Sequence, residues 1–444
     1  MKAPSCFQEF LRYTIFSVLG TLGISCYILA DTYFIAKGLG SQGLAALNLA
    51  IPVYNLIYGS GLMFGMGGAT MFSICSGRGE EGTADVIYSN ILILALGVSF
   101  LFFGIGLFGA VPLAVFLGAD PSVLSMTALY LKWLLLFSPA FMVNTLLQCF
   151  VRNDGSPQLS MAAMIGGSFA NMFLDYIFIF PFHMGMFGAV FATGISPVVS
   201  MLLMLPHWIR KRNHFHFYPG KVRFQRPLIL QTLALGIPSL AAQLSAALVM
   251  VLFNLLILRL EGNTGVAAYG VIANIAIVTT AIINGITQGA QPLLSRFYGA
   301  GDRKQEKAVL RYAMLTSMTA SVLIYLFLVG FAGPVTKVFN SEGNEMLQKI
   351  AEEGMKLYFL SMPVTSCNMV FATFFTSVEM ALPAHILSFL RGFLLLIPAV
   401  FGLAYLFGMT GVWLSFPAAE TLAAGYGAVS CRNYCLKWKK IPEK

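Results

Sequence analysis

Residues 38–80 read GLGSQGLAALNLAIPVYNLIYGSGLMFGMGGATMFSICSGRGE, and residues 260–302 read LEGNTGVAAYGVIANIAIVTTAIINGITQGAQPLLSRFYGAGD. Laid one on the other, the two stretches place Gly40, Gly43, Ala45, Ala46, Gly67, Gly77 and Gly79 on Gly262, Gly265, Ala267, Ala268, Gly289, Gly299 and Gly301, and Glu80 on Asp302, all at one constant offset. Five of the ten glycines between 38 and 79 match, against about one expected from composition, so the chain is an internal repeat. Further along, Pro139 and Asn144 meet Pro363 and Asn368, and GMFG at 185–188 meets GMTG at 408–411, with small insertions moving the offset slightly.

What repeats is apolar. Of the 444 residues 58% are hydrophobic and 10% charged, and the mean hydropathy is +0.79. Soluble proteins run about 45–50% apolar and about 25% charged, so a water-soluble core is excluded. The 43 Gly and 38 Phe suit packed transmembrane helices. Hydrophobic runs predict twelve spans, near 11–36, 45–75, 86–111, 124–150, 159–181 and 186–208, then 229–259, 266–297, 308–334, 352–377, 383–406 and 410–431. No stretch between them is long enough for a soluble domain. The fold class is thus an all-α polytopic membrane protein. Six spans per half is an even number, so the two six-helix bundles are parallel repeats about an axis along the membrane normal. The domains are 1–208, a basic linker 209–228, and 229–444. With the N-terminus inside, the inner ends and loops hold 21 of the 27 Lys and Arg, and both termini are expected in the cytoplasm of a cell-membrane protein.

The formal charge of +9 therefore writes topology and does not indicate nucleic acid. Cys6, Cys26, Cys75, Cys149, Cys367, Cys431 and Cys435 are scattered, odd in number and without CxxC, and read as free packing thiols. The first apolar stretch runs to about Gly38 without a cleavage site and reads as a retained span. The linker IRKRNHFHFYPGKVRFQRPL could touch anionic lipid, but reads first as a solvated connector. His183, His207, His214, His216 and His385 fall at span edges or in the linker. With no HExxH, GxSxG or GxxxxGK[ST], no enzyme, cofactor or ATP-driven pump is expected. Two pseudo-symmetric bundles are the layout of a secondary transporter.

Ionisable groups within hydrocarbon cost at least about 2.5–3.5 kcal/mol each and need a reason. Asp31 stands in span 1 six residues before Lys37, so it lies about 9 Å below the outer end. Asp175 in span 5 and Thr193 in span 6 reach a similar depth, and Asn171 is one turn from Asp175 on the same face. These four place hard oxygens from three helices in one layer, although Thr193 also suits a bond to its own backbone and Asn171 an inter-helix tie. In the second half Glu420 is either a functional carboxylate or the partner of a nearby donor, and Arg391 is expected to snorkel. Asn274, Asn284, Gln288 and Gln291 in span 8 either line a cavity or tie helices together. Glu379 reads as a loop residue.

LADTYFIAKGLG, GLMFGMGGATMFSICSGRGE, VRNDGSPQLSMAAMIGGSFANMFLDYIFIF, GITQGAQPLLSRFYGAGD and LSFLRGFLLLIPAVFG, in that order, resemble the multidrug and toxic compound extrusion (MATE) family. The resemblance covers nearly the whole chain and is closest to the bacterial and archaeal drug-efflux and DNA-damage-inducible branch. It implies that Asp31, Asn171, Asp175 and Thr193 form the coupling site of the first lobe, for H⁺ or Na⁺. It also implies export of organic compounds by a monomer in the lipid bilayer, with no cofactor. Few buried bases and several buried acids favour cationic, amphiphilic substrates. A lipid-linked saccharide flippase of the same superfamily, and a non-coupled channel or scaffold, are the rival readings. Two departures stand out. Span 1 has no proline, only Gly20 and Gly23 as weak points, so no proline kink is expected; and Ser377–Met380 lacks the glycine frequent in the family's loop.

Overall fold

The computed structural model describes residues 5–218, 220, 225–340 and 343–438, with the side chains of Glu81, Lys437 and Trp438 left aside. Of the basic residues counted on the inner side, Lys2, Lys221, Arg223, Lys439, Lys440 and Lys444 lie outside the described residues, as do the ends of the chain and part of the linker.

The described chain is helical and contains no strand. The first helix, α1, runs Cys6–Arg78, and its repeat, α9, runs Arg226–Gly299. Either one, straight, would be about 110 Å long, several times the roughly 30 Å of a bilayer core. Both are broken at one residue. Gly40 has φ 66° and ψ −159°, and Gly262, its repeat equivalent, has φ 64° and ψ −155°. The Tyr27 and Tyr54 hydroxyls, on opposite sides of Gly40, meet at 2.7 Å. Phe253 and Tyr269, on opposite sides of Gly262, have ring centroids 5.4 Å apart. The glycines are therefore hairpin points, each dividing one long helix into two antiparallel spans. From Cys6 to Leu39 no residue leaves helical geometry.

Then come α2 (Glu81–Phe108), a short α3 (Ala110–Phe116), α4 (Leu124–Leu136) and α5 (Ser138–Asn153), bent by 49° where Pro139 starts α5. The first half closes with α6 (Pro157–Ile179), α7 (Gly185–Met204) and α8 (Pro206–Ile209). After α9 the order repeats: α10 (Arg303–Gly330), short α11 (Ala332–Phe339), α12 (Glu345–Tyr358), and α13 (Met362–Ser377) begun at Pro363. The last are α14 (Ala381–Phe389), a π turn at Leu390–Leu394, and α15 (Leu396–Trp438), which reverses at Gly408 (φ 58°). Nine stretches are long and apolar enough to cross a membrane, counting α4–α5 as one. Three of them carry a glycine hairpin, which makes twelve spans among the described residues. The chain is a multi-pass membrane protein. Spans 3 and 9 were expected to run on to 111 and 334, but they stop at Phe108 and Gly330, and α3 and α11 follow as separate helices. Pro112 and Pro334, equivalent positions of the repeat, sit in their first turns, where a missing N–H costs nothing.

Compactness divides the helices into two units: the described parts of 15–244 and 295–301, and those of 1–14, 245–294 and 302–444. The division differs from the sequence halves because glycines bring backbones together. In the 15–244 unit, a Cβ on Gly67 would lie 2.3 Å from the Thr232 carbonyl oxygen, and one on Gly236 1.9 Å from that of Met63. In the other unit a Cβ on Gly289 would lie 2.7 Å from the Thr14 Cα. Thr14 is the repeat equivalent of Gly236, and Gly67 of Gly289, so the same contact is made once in each unit. Each half lends the head of its first span to the other half's unit. Close backbone approach through small residues is how helices associate where lipid removes the hydrophobic drive.

The described linker residues are mostly exposed, as in a solvated connector, but residues 213–218 are also tied to the helices beside them. Phe215 is fully buried against Phe72, Tyr88, Phe150 and Trp208. Asp154 accepts from His207 Nε2 at 2.8 Å and His214 Nδ1 at 2.7 Å, and Asp85 accepts from the His216 amide at 2.8 Å. Alternation in HFH sends the aromatic ring inward and the two imidazoles to acids at the helix ends, which strap residues 207–218 onto the 15–244 unit.

Candidate functional site

Gly20, Gly23 and Gly38 lay the first arm of α1 along α6. A Cβ on each would come within 2.8 Å of the Met164 sulfur, 3.1 Å of Ile165 and 2.4 Å of Ile179. The two run parallel, and Asp31 falls between Gly23 and Gly38, beside the stretch of α6 that carries Asn171 and Asp175. On its other side α6 packs on α7 through Gly167, against Ser196 and Ser200, which brings Thr193 alongside. The four candidates thus meet in one unit. Asn171 and Asp175 are completely buried, Thr193 nearly so, and Asp31 is 7% exposed.

Their hydrogen bonding is incomplete. Asn171 Nδ2 donates to Thr193 Oγ1 at 3.4 Å, and that hydroxyl donates to the Ala189 carbonyl at 3.0 Å. Asp31 Oδ1, Asn171 Oδ1 and both Asp175 carboxyl oxygens are buried without a partner. The Asp31 and Asp175 carboxyls face each other within hydrogen-bonding reach. Two carboxylates so placed have acceptors and no donor between them, and like charges in low dielectric repel strongly. The arrangement fits a positive guest: one proton shared by the acids, or a dehydrated cation among carboxylate, amide and hydroxyl oxygens. No cluster of three or more His, Cys, Asp or Glu suited to a metal occurs among the described residues.

Two features escaped the sequence reading. Tyr130 on α4 is buried beside Thr193 and within electrostatic range of both aspartates. The Tyr27–Tyr54 hydroxyl pair lies within such range of Asp31, and Tyr54 stacks on Tyr58 with centroids 5.9 Å apart. Tyrosines in spans are common interface anchors, so only three-dimensional proximity to the acids singles these out.

The second-half candidates form a different kind of group. Glu420 on α15 is buried, yet both its oxygens are engaged. Oε1 accepts from Arg391 Nη2 at 2.7 Å and Nε at 3.1 Å, and Oε2 accepts from Asn368 Nδ2 at 2.6 Å. Arg391 does not snorkel; the π turn at Leu390–Leu394, one residue wider than an α turn, carries it to Glu420. Of the two readings of Glu420, the geometry supplies the donors that the partner reading requires. Asn274, Asn284, Gln288 and Gln291 belong to the unit that contains 245–294, whereas the four-residue layer belongs to the unit that contains 15–244. Gln291 is fully buried, Asn274, Asn284 and Gln288 partly.

The chain can now be set beside known proteins. It is 25% identical over 428 residues to the multidrug export protein MepA of Staphylococcus saprophyticus, covering 95% of this chain and 93% of that one. It is 24% identical over 423 residues to MepA of Staphylococcus aureus strain MRSA252, covering 95% and 92%. Among solved structures, an outward-facing multidrug resistance MATE family transporter of the MOP superfamily superposes with a TM-score of 0.92 at 22% identity over 99% of this chain and 98% of that one. A MOP superfamily transporter from Pyrococcus furiosus, described as having a binding pocket of reversed polarity, gives 0.91 at 23% over the same shares. The MatE family model matches twice, at residues 17–177 and again at 238–401, once in each half of the repeat, and the chain belongs to the MatE family.

Proposed function

We propose that the chain is a cation-coupled secondary antiporter that exports organic, cationic amphiphilic compounds by alternating access. It acts as a monomer in the cell membrane with both termini inside. The observation that carries this is the pair of buried carboxyls at Asp31 and Asp175, face to face with no donor between them. The relatives' names as multidrug export proteins support the direction and the breadth of substrates.

The coupling residues are Asp31, Asn171, Asp175 and Thr193, with Tyr130 added. H⁺ or Na⁺ entering the layer from outside neutralises it, removes the repulsion between the acids, and lets the first arm of α1 close on α6 and α7. Closure narrows the space for substrate, so cation and substrate compete. A lipid-linked saccharide flippase would offer several free cationic side chains to phosphates, whereas Arg391 is held by Glu420. A channel or scaffold would not need buried acids in one layer.

The test is efflux of a fluorescent cationic dye from vesicles containing the protein, with the H⁺ and Na⁺ gradients collapsed separately. Efflux should stop when one of them is collapsed, which identifies the ion. Flux that survives the loss of both would reject the antiporter, and movement of anionic lipids alone would favour the flippase.

A further inference from the structure

Near its end the last helix, α15, carries two cysteines, Cys431 and Cys435, four residues apart. The helix leaves regular geometry only at Gly408, so the two stand one turn apart on one face. Their thiols are close enough to perturb each other's ionisation. We propose that Cys431 and Cys435 form a dithiol site that captures a trivalent arsenical, both sulfurs bonding to one arsenic atom.

The pair is accessible and held in place. Both residues are partly exposed, unlike the buried Cys75 and Cys149. Tyr434, next to Cys435, ties this face of α15 to the first turn of α10. Its hydroxyl accepts from Arg303 Nη1 at 2.9 Å and donates to Glu306 Oε1 at 3.3 Å, while Arg303 Nη1 also donates to Glu306 Oε2 at 2.8 Å. Glu306 is completely buried, so the tie is shielded from water. Thiols on a face so fixed lose little freedom when one atom bridges them.

The geometry selects among the chemistries open to two thiols. Helix neighbours at this spacing hold their Cβ atoms about 5–6 Å apart, whereas a disulfide needs about 3.5–4.5 Å. A direct S–S bond would therefore unwind the turn, and an atom inserted between the sulfurs spans the gap. A structural zinc site takes four ligands, and no third His, Cys, Asp or Glu completes a metal cluster among the described residues. A trivalent arsenic that bears one organic group needs only two sulfurs. Thiolate is the attacking form. Cys435, four residues beyond the last span, is held below the ordinary thiol range by the Cys431 thiol beside it, with Lys307 adding to the effect. With an arsenoxide, R–As=O, two As–S bonds replace the As–O double bond. The two thiol protons leave with the oxygen as water and arsenic stays trivalent, so no oxidant or reductant is needed. The inference does not depend on the transport reading.

Intact-mass spectrometry of the full-length protein in detergent, incubated with phenylarsine oxide, tests it. One arsenical should remain bound through a wash with excess 2-mercaptoethanol and leave with 2,3-dimercaptopropanol, because a single thiol does not displace a two-sulfur chelate. Cys431→Ser and Cys435→Ser should each lower that retention about a hundred-fold, as loss of one of two linked contacts does. Cys435→Ala should do the same, which covers any disturbance of the Tyr434 tie by serine. Cys26→Ser, at an exposed single thiol, should leave retention unchanged. An adduct stripped by the monothiol, or one that persists in either serine variant, would overturn the site.

Discussion

Asp31 and Asp175 differ from an ordinary buried ion pair in lacking any donor between them. Asp31→Asn keeps the shape and removes one charge, so it should abolish gradient-driven efflux while leaving the protein folded, with a melting temperature at or above the wild type. Asp175→Asn should do nearly as much, Tyr130→Phe and Thr193→Ala less. Because the two acids act as one unit, the double Asn variant should be scarcely worse than either single. Near-normal coupled efflux by that double variant would move coupling elsewhere. A second residue-scale consequence concerns Glu379, which holds φ 58° in the loop where the first half has Gly155 at φ 79°. A left-handed conformation costs a non-glycine residue about 1–2 kcal/mol. Glu379→Gly should raise the thermal stability by about 1 kcal/mol. A lower melting temperature would show that the glutamate's side-chain interactions outweigh its backbone strain.

At the scale of elements, Gly40 and Gly262 take a conformation that essentially only glycine adopts, and a Cβ at either would meet nothing within 4 Å. Any cost of substitution there is therefore backbone alone, about 1–3 kcal/mol for Gly262→Ala. Thermal denaturation in detergent measures it, and Gly104→Ala, inside α2 with open space around it, is the control expected to be neutral or stabilising. The π turn gives a second prediction. Arg391→Met strands Glu420 as a buried unpaired carboxylate and should cost about 3–5 kcal/mol. Adding Glu420→Gln removes the stranded charge and should recover most of the loss. If it does not, the packing of the arginine stem and not the ion pair holds α15 to the π turn.

At the scale of the whole molecule, the repeat is preserved in contacts as well as in residues. Gly67 against 232–236 in one unit and Gly289 against Thr14 in the other are one contact made twice. A further pair is reciprocal within a single unit: a Cβ on Gly77 would lie 2.3 Å from the Arg296 carbonyl oxygen and one on Gly299 2.2 Å from that of Ile74, and Ile74 and Arg296 are themselves repeat equivalents. A methyl group at Gly236 has no room, so Gly236→Ala should force α1 and α9 apart and cost about 1–3 kcal/mol, as overpacking does. A loss of that size in thermal denaturation, against none for Gly104→Ala, is the expected result.

The internal repeat with its constant offset and the twelve spans were legible in the linear sequence, which also gave an expected common depth for Asp31, Asn171, Asp175 and Thr193. Hydropathy, glycine spacing and a rise of about 1.5 Å per residue act along the chain and need no knowledge of neighbours. The meeting of those four residues was an inference from depth and resemblance; Gly20, Gly23, Gly38 and Gly167 supply its packing reason. Other features came from tertiary structure alone. Tyr130 joins the layer, Arg391 reaches Glu420 through a π turn, HFH straps onto Asp154 and Asp85, and the heads of the first and seventh spans exchange between halves. These depend on which face of one helix meets which face of another. A soluble helix declares its buried face by a polar opposite side. In a membrane, lipid and protein interior are equally apolar, so a span's sequence records that it crosses and how deep its polar groups lie, while backbone contact between helices decides what those groups touch.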